Sequence, residues 1–358
     1  MERKIKVFVI DDSPIYREVM KNIIESDPDL EYVGFAANGA IAVKKLDLLN
    51  PDIITLDIEM PEMNGIDTLR YIMKNNPKPV IMVSSFTCAG ADITLQALEI
   101  GAVDYIQKPE DNELEYNLNF LRSTLLEKIK TFANFKFHKN KFKDIAKEDG
   151  FPVIGGLPSF DIPKVRNCPI DAICIGSSTG GTVALTEIIP KLRKDIGVPI
   201  FVVQHMPKMY TKSFAARLNS LSELEVVEGT NGESVTSNKV YIAPGGYQMR
   251  VVGGKIIVDN CDPENAHKPS VDVLFRSVRM EYKDRILAVI LTGMGSDGAA
   301  GIAEIKDSGG FTVAQDEESC VVFGMPGSAI KTGKVDRIIP LNKIANFIND
   351  AAEYLKGY

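Results

Sequence analysis

Between Lys6 and Gln107, short runs of consecutive apolar residues alternate with longer stretches in which apolar positions recur every three or four residues. The runs KVFVI, YVGFAA, DIITLDI, PVIMVSS and AVDYIQ are rich in β-branched side chains and predict strands. Between them PIYREVMKNIIES, GAIAVKKLDLL, GIDTLRYIMKN and ITLQALEIG keep the helical period. Five such repeats predict a doubly wound parallel α/β sheet over residues 1–126, with ligands gathering at the carboxyl ends of its strands.

From 127 to 167 the alternation fails. KIKTFANFKFHKNKFKDIAKEDG is Lys-rich, and FPVIGGLPSFDIPKV is loaded with Pro and Gly, so this stretch reads as a linker, part helix continuation and part extended chain. Over residues 168–358 the alternation returns. DAICIGSS, PIFVVQH, KVYIAPG, RILAVILTGMG and TVAQD predict strands; TVALTEIIPKL, MYTKSFAARLN, SVDVLFRSVRM and GIAEIKDS predict helices. YQMRVVGGKIIVDN has two strand-like arms around Gly253-Gly254 and predicts an antiparallel hairpin. The fold class expected is two doubly wound parallel-sheet domains, the second with that hairpin inserted.

A chain of 358 residues is long for one core, at roughly 100–200 residues per domain, which agrees with two domains. A formal net charge of −7 argues against a nucleic-acid partner, and the basic linker lacks a docking helix that would reverse this. No apolar run approaches the ~20 residues of a membrane span, and MERKIKVFVIDDS does not resemble a signal peptide. A cytoplasmic protein without membrane insertion is expected. The five cysteines are scattered with no Cys-x-x-Cys pair, which supports neither a disulfide framework nor a zinc site.

In the first domain Asp11 and Asp12 end the first strand, Asp57 the third, Ser84 the fourth, and Lys108 follows the fifth. A parallel sheet brings these ends to one edge. Three converging carboxylates repel, and a divalent cation such as Mg²⁺ relieves them. VFVIDDSPIYR, DIITLDIEMPEMNGID, VIMVSS and GAVDYIQKP resemble the flavodoxin-like receiver domain of bacterial response regulators. The resemblance implies that Asp57 accepts a phosphoryl group from a histidine kinase. It implies that Asp12 and Asp57 bind Mg²⁺ directly while Asp11 positions a metal-bound water. Lys108 would neutralise phosphoryl oxygens, Ser84 would hydrogen-bond the phosphate, and Tyr105 would be the aromatic whose burial reports the switch.

In the second domain CIGSSTGGTVAL lacks the Lys of a phosphate-binding loop and the glycine spacing of a dinucleotide fingerprint. It contains Gly176-Ser177-Ser178-Thr179-Gly180, a Gly-x-Ser-x-Gly pattern that exposes Ser178 on a strand-to-helix turn, expected at the helix N-terminus. The chain has three histidines. His138 lies in the expected linker, and His267 reads as a surface or substrate-edge residue. His205 ends PIFVVQH, on the same edge as Ser178, and LTGMGSDG brings Asp297 there. Ser178, His205 and Asp297 thus form a candidate nucleophile, base and orienting carboxylate.

CIGSSTGG, VVQHMP, YIAPGGYQM, HKPSVDVLF, LTGMGSDGAAG and FGMPGSA resemble, in that order, the effector domain of the chemotaxis methylesterase (CheB) family, with Ser177 where a small residue is usual. The resemblance implies hydrolysis of γ-glutamyl methyl esters, and deamidation of selected glutamines, on the cytoplasmic domain of methyl-accepting chemoreceptors. It implies an oxyanion hole from the N–H groups of Thr179 and Met294, no cofactor at the hydrolase site, and the chemotaxis kinase CheA as phosphodonor. The competing expectation, a transcriptional or interaction-type response regulator, would need a helix-turn-helix that the C-terminal motifs do not offer.

Overall fold

A computed structural model describes residues 3–84, 88–108, 114–133 and 170–353. The chain divides into two compact units, split between Phe160 and Asp161. His138 and most of the expected linker lie outside the described residues.

The first unit alternates β1 (Ile5–Ile10), α1 (Pro14–Glu25), β2 (Leu30–Ala36), α2 (Gly39–Leu49), β3 (Ile53–Asp57), α3 (Gly65–Asn75), β4 (Val80–Ser84), α4 (Cys88–Ile100), β5 (Asp104–Gln107) and α5 (Leu114–Ala133). Its sheet is parallel in the order β2-β1-β3-β4-β5. β3 and β4 are buried along their whole length because helices cover both faces. Helix starts are capped by Ser13, Asn38 and Asn64, each accepting from an N–H of its own first turn. α5 continues past residue 126, with Ile129 and Phe132 buried, so the expected linker begins as helix. The strand order reverses between β1 and β3, and there the carboxyl ends leave a crevice.

The second unit follows with β6 (Ala172–Ser177), α6 (Gly181–Ile188), β7 (Ile200–Gln204), α7 (Lys208–Leu221), β8 (Glu225–Glu228), β9 (Lys239–Ile242), β10 (Gln248–Val252) and β11 (Lys255–Asp259). It ends with α8 (Val271–Tyr282), β12 (Ile286–Ile290), α9 (Ala299–Asp307), β13 (Phe311–Gln315), α10 (Met325–Lys331), β14 (Arg337–Ile339) and α11 (Leu341–Glu353). Seven strands run parallel in the order β14-β13-β12-β6-β7-β9-β8. β10 and β11 form the expected hairpin, turning on Gly253 and Gly254, whose φ angles of 58° and 68° favour residues without Cβ. The chain starts at β6, winds out to one side through β7, and returns to the other side at β12. The switch point therefore lies between β6 and β12, beside the loops that hold Ser178 and Asp297.

Candidate functional sites

The carboxyl edge of the first sheet gathers the residues expected there. One carboxylate oxygen each from Asp11, Asp12 and Asp57 lies within 4.8 Å of the others, with Asp11 and Asp57 buried and Asp12 exposed. Lys108 Nζ is 2.9 Å from Asp11 Oδ2 and 2.7 Å from Asp57 Oδ2. Burial raises the Asp57 carboxyl to about 6; Lys108 opposes this, and the neighbouring Asp11 and Asp12 add to it. Burial disfavours the Lys108 cation, yet the two carboxylates outweigh it and hold its pKa above the usual lysine value. A pocket of oxygen donors with excess negative charge, one donor open to solvent, suits a hard divalent cation.

Ser84 is buried and shares a 3.1 Å hydrogen bond with Thr94 Oγ1, while Tyr105 is half-buried on β5. Two residues of α1 were not singled out in the sequence. Arg17 donates to the Asp11 and Asp12 carbonyls at 2.8 and 2.9 Å, fixing the end of β1. Tyr16 lies under Lys108, with Nζ 4.6 Å from the ring centroid.

In the second unit Ser178 follows β6 directly. It is not itself at the start of α6: Gly181 N–H donates to the Ser178 carbonyl at 2.8 Å, closing a turn, and Gly180 caps the helix at φ 78°. The expectation of Ser178 at the helix N-terminus is corrected by that extra turn. Ser178 N–H donates to the Thr292 carbonyl at 3.1 Å, tying the turn to the loop after β12. Gly293 is necessarily glycine, because a Cβ there would fall 2.9 Å from Ser178 Cβ. Met294 is the next residue of that loop. The Met294 N–H makes no hydrogen bond among the described residues.

His205 follows β7, and its Nε2 is 2.8 Å from Asp297 Oδ2. Asp297 is 1% exposed and accepts four more bonds: Asn265 Nδ2 at 2.9 Å, Ser270 Oγ at 2.9 Å, and the N–H groups of Val271 at 2.7 Å and Asp272 at 3.2 Å. The two N–H groups open α8, so the carboxylate sits on a helix N-terminus. Burial pushes the Asp297 carboxyl upward, but the bonds from His205, Asn265 and Val271 prevail and hold it well below the usual carboxylate range. With Nε2 facing a carboxylate, the His205 proton belongs on Nε2 and the lone pair on Nδ1. His205 Nδ1 is buried and has no hydrogen-bond partner. The Ser178 hydroxyl is accordingly not bonded to it in this structure, an arrangement common before substrate binds.

Three further residues complete the edge. Gln204, buried at the end of β7, donates through Nε2 to the Ser178 carbonyl at 2.8 Å and the His205 carbonyl at 3.0 Å. Its Oε1 accepts from Ser177 Oγ at 2.8 Å, which orients the amide. Asn265 bridges Asp297 and Asp272. His267, expected as a surface or substrate-edge residue, is half-buried and stacks on His205 with ring centroids 3.8 Å apart. A polar residue inside the run PIFVVQH was a readable signal for Gln204; no local pattern marked the stacking of His267.

The family pattern described as CheB methylesterase matches residues 173–348, and that of the response regulator receiver domain matches residues 7–118. The protein-glutamate methylesterase/protein-glutamine glutaminase of Pyrococcus horikoshii is 42% identical over all of this chain and 96% of its own length. The Bacillus subtilis protein of the same name is 41% identical, over 98% of this chain and 99% of its own. Among solved structures, the Thermotoga maritima CheB methylesterase catalytic domain is 45% identical, covering 51% of this chain and 98% of that domain, with a TM-score of 0.49. No described helix is long and apolar enough to cross a membrane. A receiver pocket on one unit, a serine–histidine–aspartate edge on the other, and full-length relatives above 40% identity have one reading: the chain belongs to the CheB family of response-regulator methylesterases.

Proposed function

We propose that this protein is a phosphorylation-activated cytoplasmic hydrolase that removes methyl groups from γ-glutamyl esters of chemoreceptors and deamidates selected receptor glutamines. The observation that carries the proposal is the buried, unbonded Nδ1 of His205, whose other nitrogen is held by Asp297. A lone pair kept dry and unpaired is a base awaiting a proton.

Ser178 Oγ attacks the ester carbonyl, and its proton passes to His205 Nδ1. The imidazolium is stabilised by Asp297, which stays ionised because α8, Asn265 and Ser270 already satisfy it. The Thr179 and Met294 N–H groups stabilise the oxyanion. Collapse of the adduct expels methoxide, which takes the proton from Nδ1 and leaves as methanol. A water molecule, deprotonated by Nδ1, then cleaves the acyl-serine to glutamate. With a glutamine substrate the departing molecule is ammonia.

In the receiver, Asp57 would take the phosphoryl group from a chemotaxis histidine kinase of the CheA type, losing its proton to do so. Asp11, Asp12 and Asp57 would hold Mg²⁺, which when bound offsets phosphoryl charge. Lys108 would exchange its bond to Asp57 for one to the phosphate, and Ser84 and Tyr105 would respond to it. The test is methanol release from methylated receptor membranes, with and without acetyl phosphate and Mg²⁺. Release that rises with phosphodonor, and a label on Asp57 only when Mg²⁺ is present, are expected. No release under either condition, or a label on another residue, contradicts the proposal.

A further inference from the structure

The turn Glu264-Asn265-Ala266-His267 closes with two backbone bonds, Glu264 N–H to the His267 carbonyl at 3.1 Å and His267 N–H to the Glu264 carbonyl at 2.8 Å. Its central residues have φ angles of 53° and 63°, and neither is glycine. A left-handed Ala266 is strained, so surrounding contacts must hold it. Asn265 Nδ2 bridges Asp297 and Asp272, and Gln248 Nε2 donates to the His267 carbonyl at 3.3 Å. The result is specific. One strained turn delivers Asn265 to the orienting carboxylate and, two residues on, the His267 ring to the face of the base.

The two rings are 3.8 Å apart between centroids and tilted by 16°, a face-to-face contact. His205 has one edge bonded to Asp297 and the other edge unbonded, so that one hydrogen bond is left to limit rotation of the ring about its Cβ–Cγ bond, a rotation that moves Nε2 little. A second ring laid flat on it removes that freedom.

Building on the function proposed above, we propose that His267 is a positioning residue for His205: its ring fixes the plane in which Nδ1 meets the serine hydroxyl, and lays a neutral π-face on the imidazolium formed during acylation. Burial, and after it the adjacent His205, lower the His267 pKa to about 4, with Asp297 pulling the other way. Near neutral pH it is therefore uncharged and does not repel the protonated base. A π-face over a desolvated cation is stabilising.

The test uses the full-length protein with acetyl phosphate and Mg²⁺, measuring kcat and KM for methanol release from methylated receptor membranes. His267→Ala should lower kcat about 10-fold or more while KM stays within about 2-fold, because the loss falls on the transition state. His267→Phe keeps a flat ring without nitrogens and should regain kcat to within about 3-fold of wild type. Wild-type kcat in His267→Ala would overturn the inference. So would His267→Phe as slow as His267→Ala, which would place an imidazole nitrogen, not the ring face, in the chemistry. Ser178→Ala run in parallel separates the two levels of the account: if it still releases methanol, the nucleophile itself is misassigned; if it is inactive and His267→Ala is unimpaired, only the stacking role fails.

Discussion

The side-chain amide of Gln204 donates to the carbonyl of Ser178 across 2.8 Å, so a residue on β7 holds the turn that follows β6. The same nitrogen reaches the His205 carbonyl at 3.0 Å. Ser178 and His205, the proposed nucleophile and base, follow the adjacent strands β6 and β7, and this one amide ties their backbones together. Gln204→Leu should lower kcat about 10- to 100-fold and destabilise the hydrolase unit by about 1–3 kcal/mol, since it removes three buried bonds and leaves Ser177 Oγ with only its long bond to the Val203 carbonyl. Adding Ser177→Ala should recover part of the stability and none of the kcat. Urea unfolding and methanol release on the two variants check this, and recovery of both together would make Gln204 a packing residue only.

Asp297 is predicted to matter less than its neighbours in rate and more in acid stability. Asp297→Ala should lose about 10³–10⁴-fold in kcat, and Ser178→Ala and His205→Ala more, as nucleophile and base act as a unit. Because the folded protein holds this carboxyl below its unfolded value, the native state binds fewer protons. Its stabilisation is present above the ordinary carboxylate range and fades as pH falls through the lowered value. The stability gap between wild type and Asp297→Asn should therefore shrink from about pH 5 toward about pH 2. A gap that does not change with pH would show that the carboxylate charge contributes nothing.

Asp57 should behave in the opposite way. Its folded value of about 6 lies above the unfolded 3.8, so the native state keeps a proton that the unfolded chain has released. Stability falls as pH rises through that window. Asp57→Asn should raise the unfolding free energy of the unphosphorylated receiver at pH 7, by at most about 3 kcal/mol, and raise it little near pH 4. Equal effects at both values would mean that the carboxylates and Lys108 cancel. Mg²⁺, competing with that proton, should bind more weakly as pH drops below about 6.

Most of the frame was legible because each long apolar run is a strand covered on both faces, and its end is the sheet edge. That is why Asp11, Asp57, Ser178, His205 and Asp297 could be assigned to edges from position alone. The four-residue β8 and three-residue β14 were not, since EVVE and RII at the margins of the sheet have too little pattern to separate them from loops. The approach of His267 to His205 was hidden for another reason. It depends on consecutive left-handed residues at Asn265 and Ala266; Asn tolerates that conformation, but Ala gives no warning of it. The bond between Ser177 and Gln204 joins two strands 27 residues apart and appears only once β6 and β7 are paired.

The proposed chemistry depends on Ser178 as the nucleophile that gives its proton to His205 Nδ1. It is tested most directly by methanol release from methylated receptor membranes by folded Ser178→Ala, with acetyl phosphate and Mg²⁺ present. Nearly all release should be lost, with an unfolding midpoint unchanged from wild type. Release near the wild-type rate from that folded variant would contradict it.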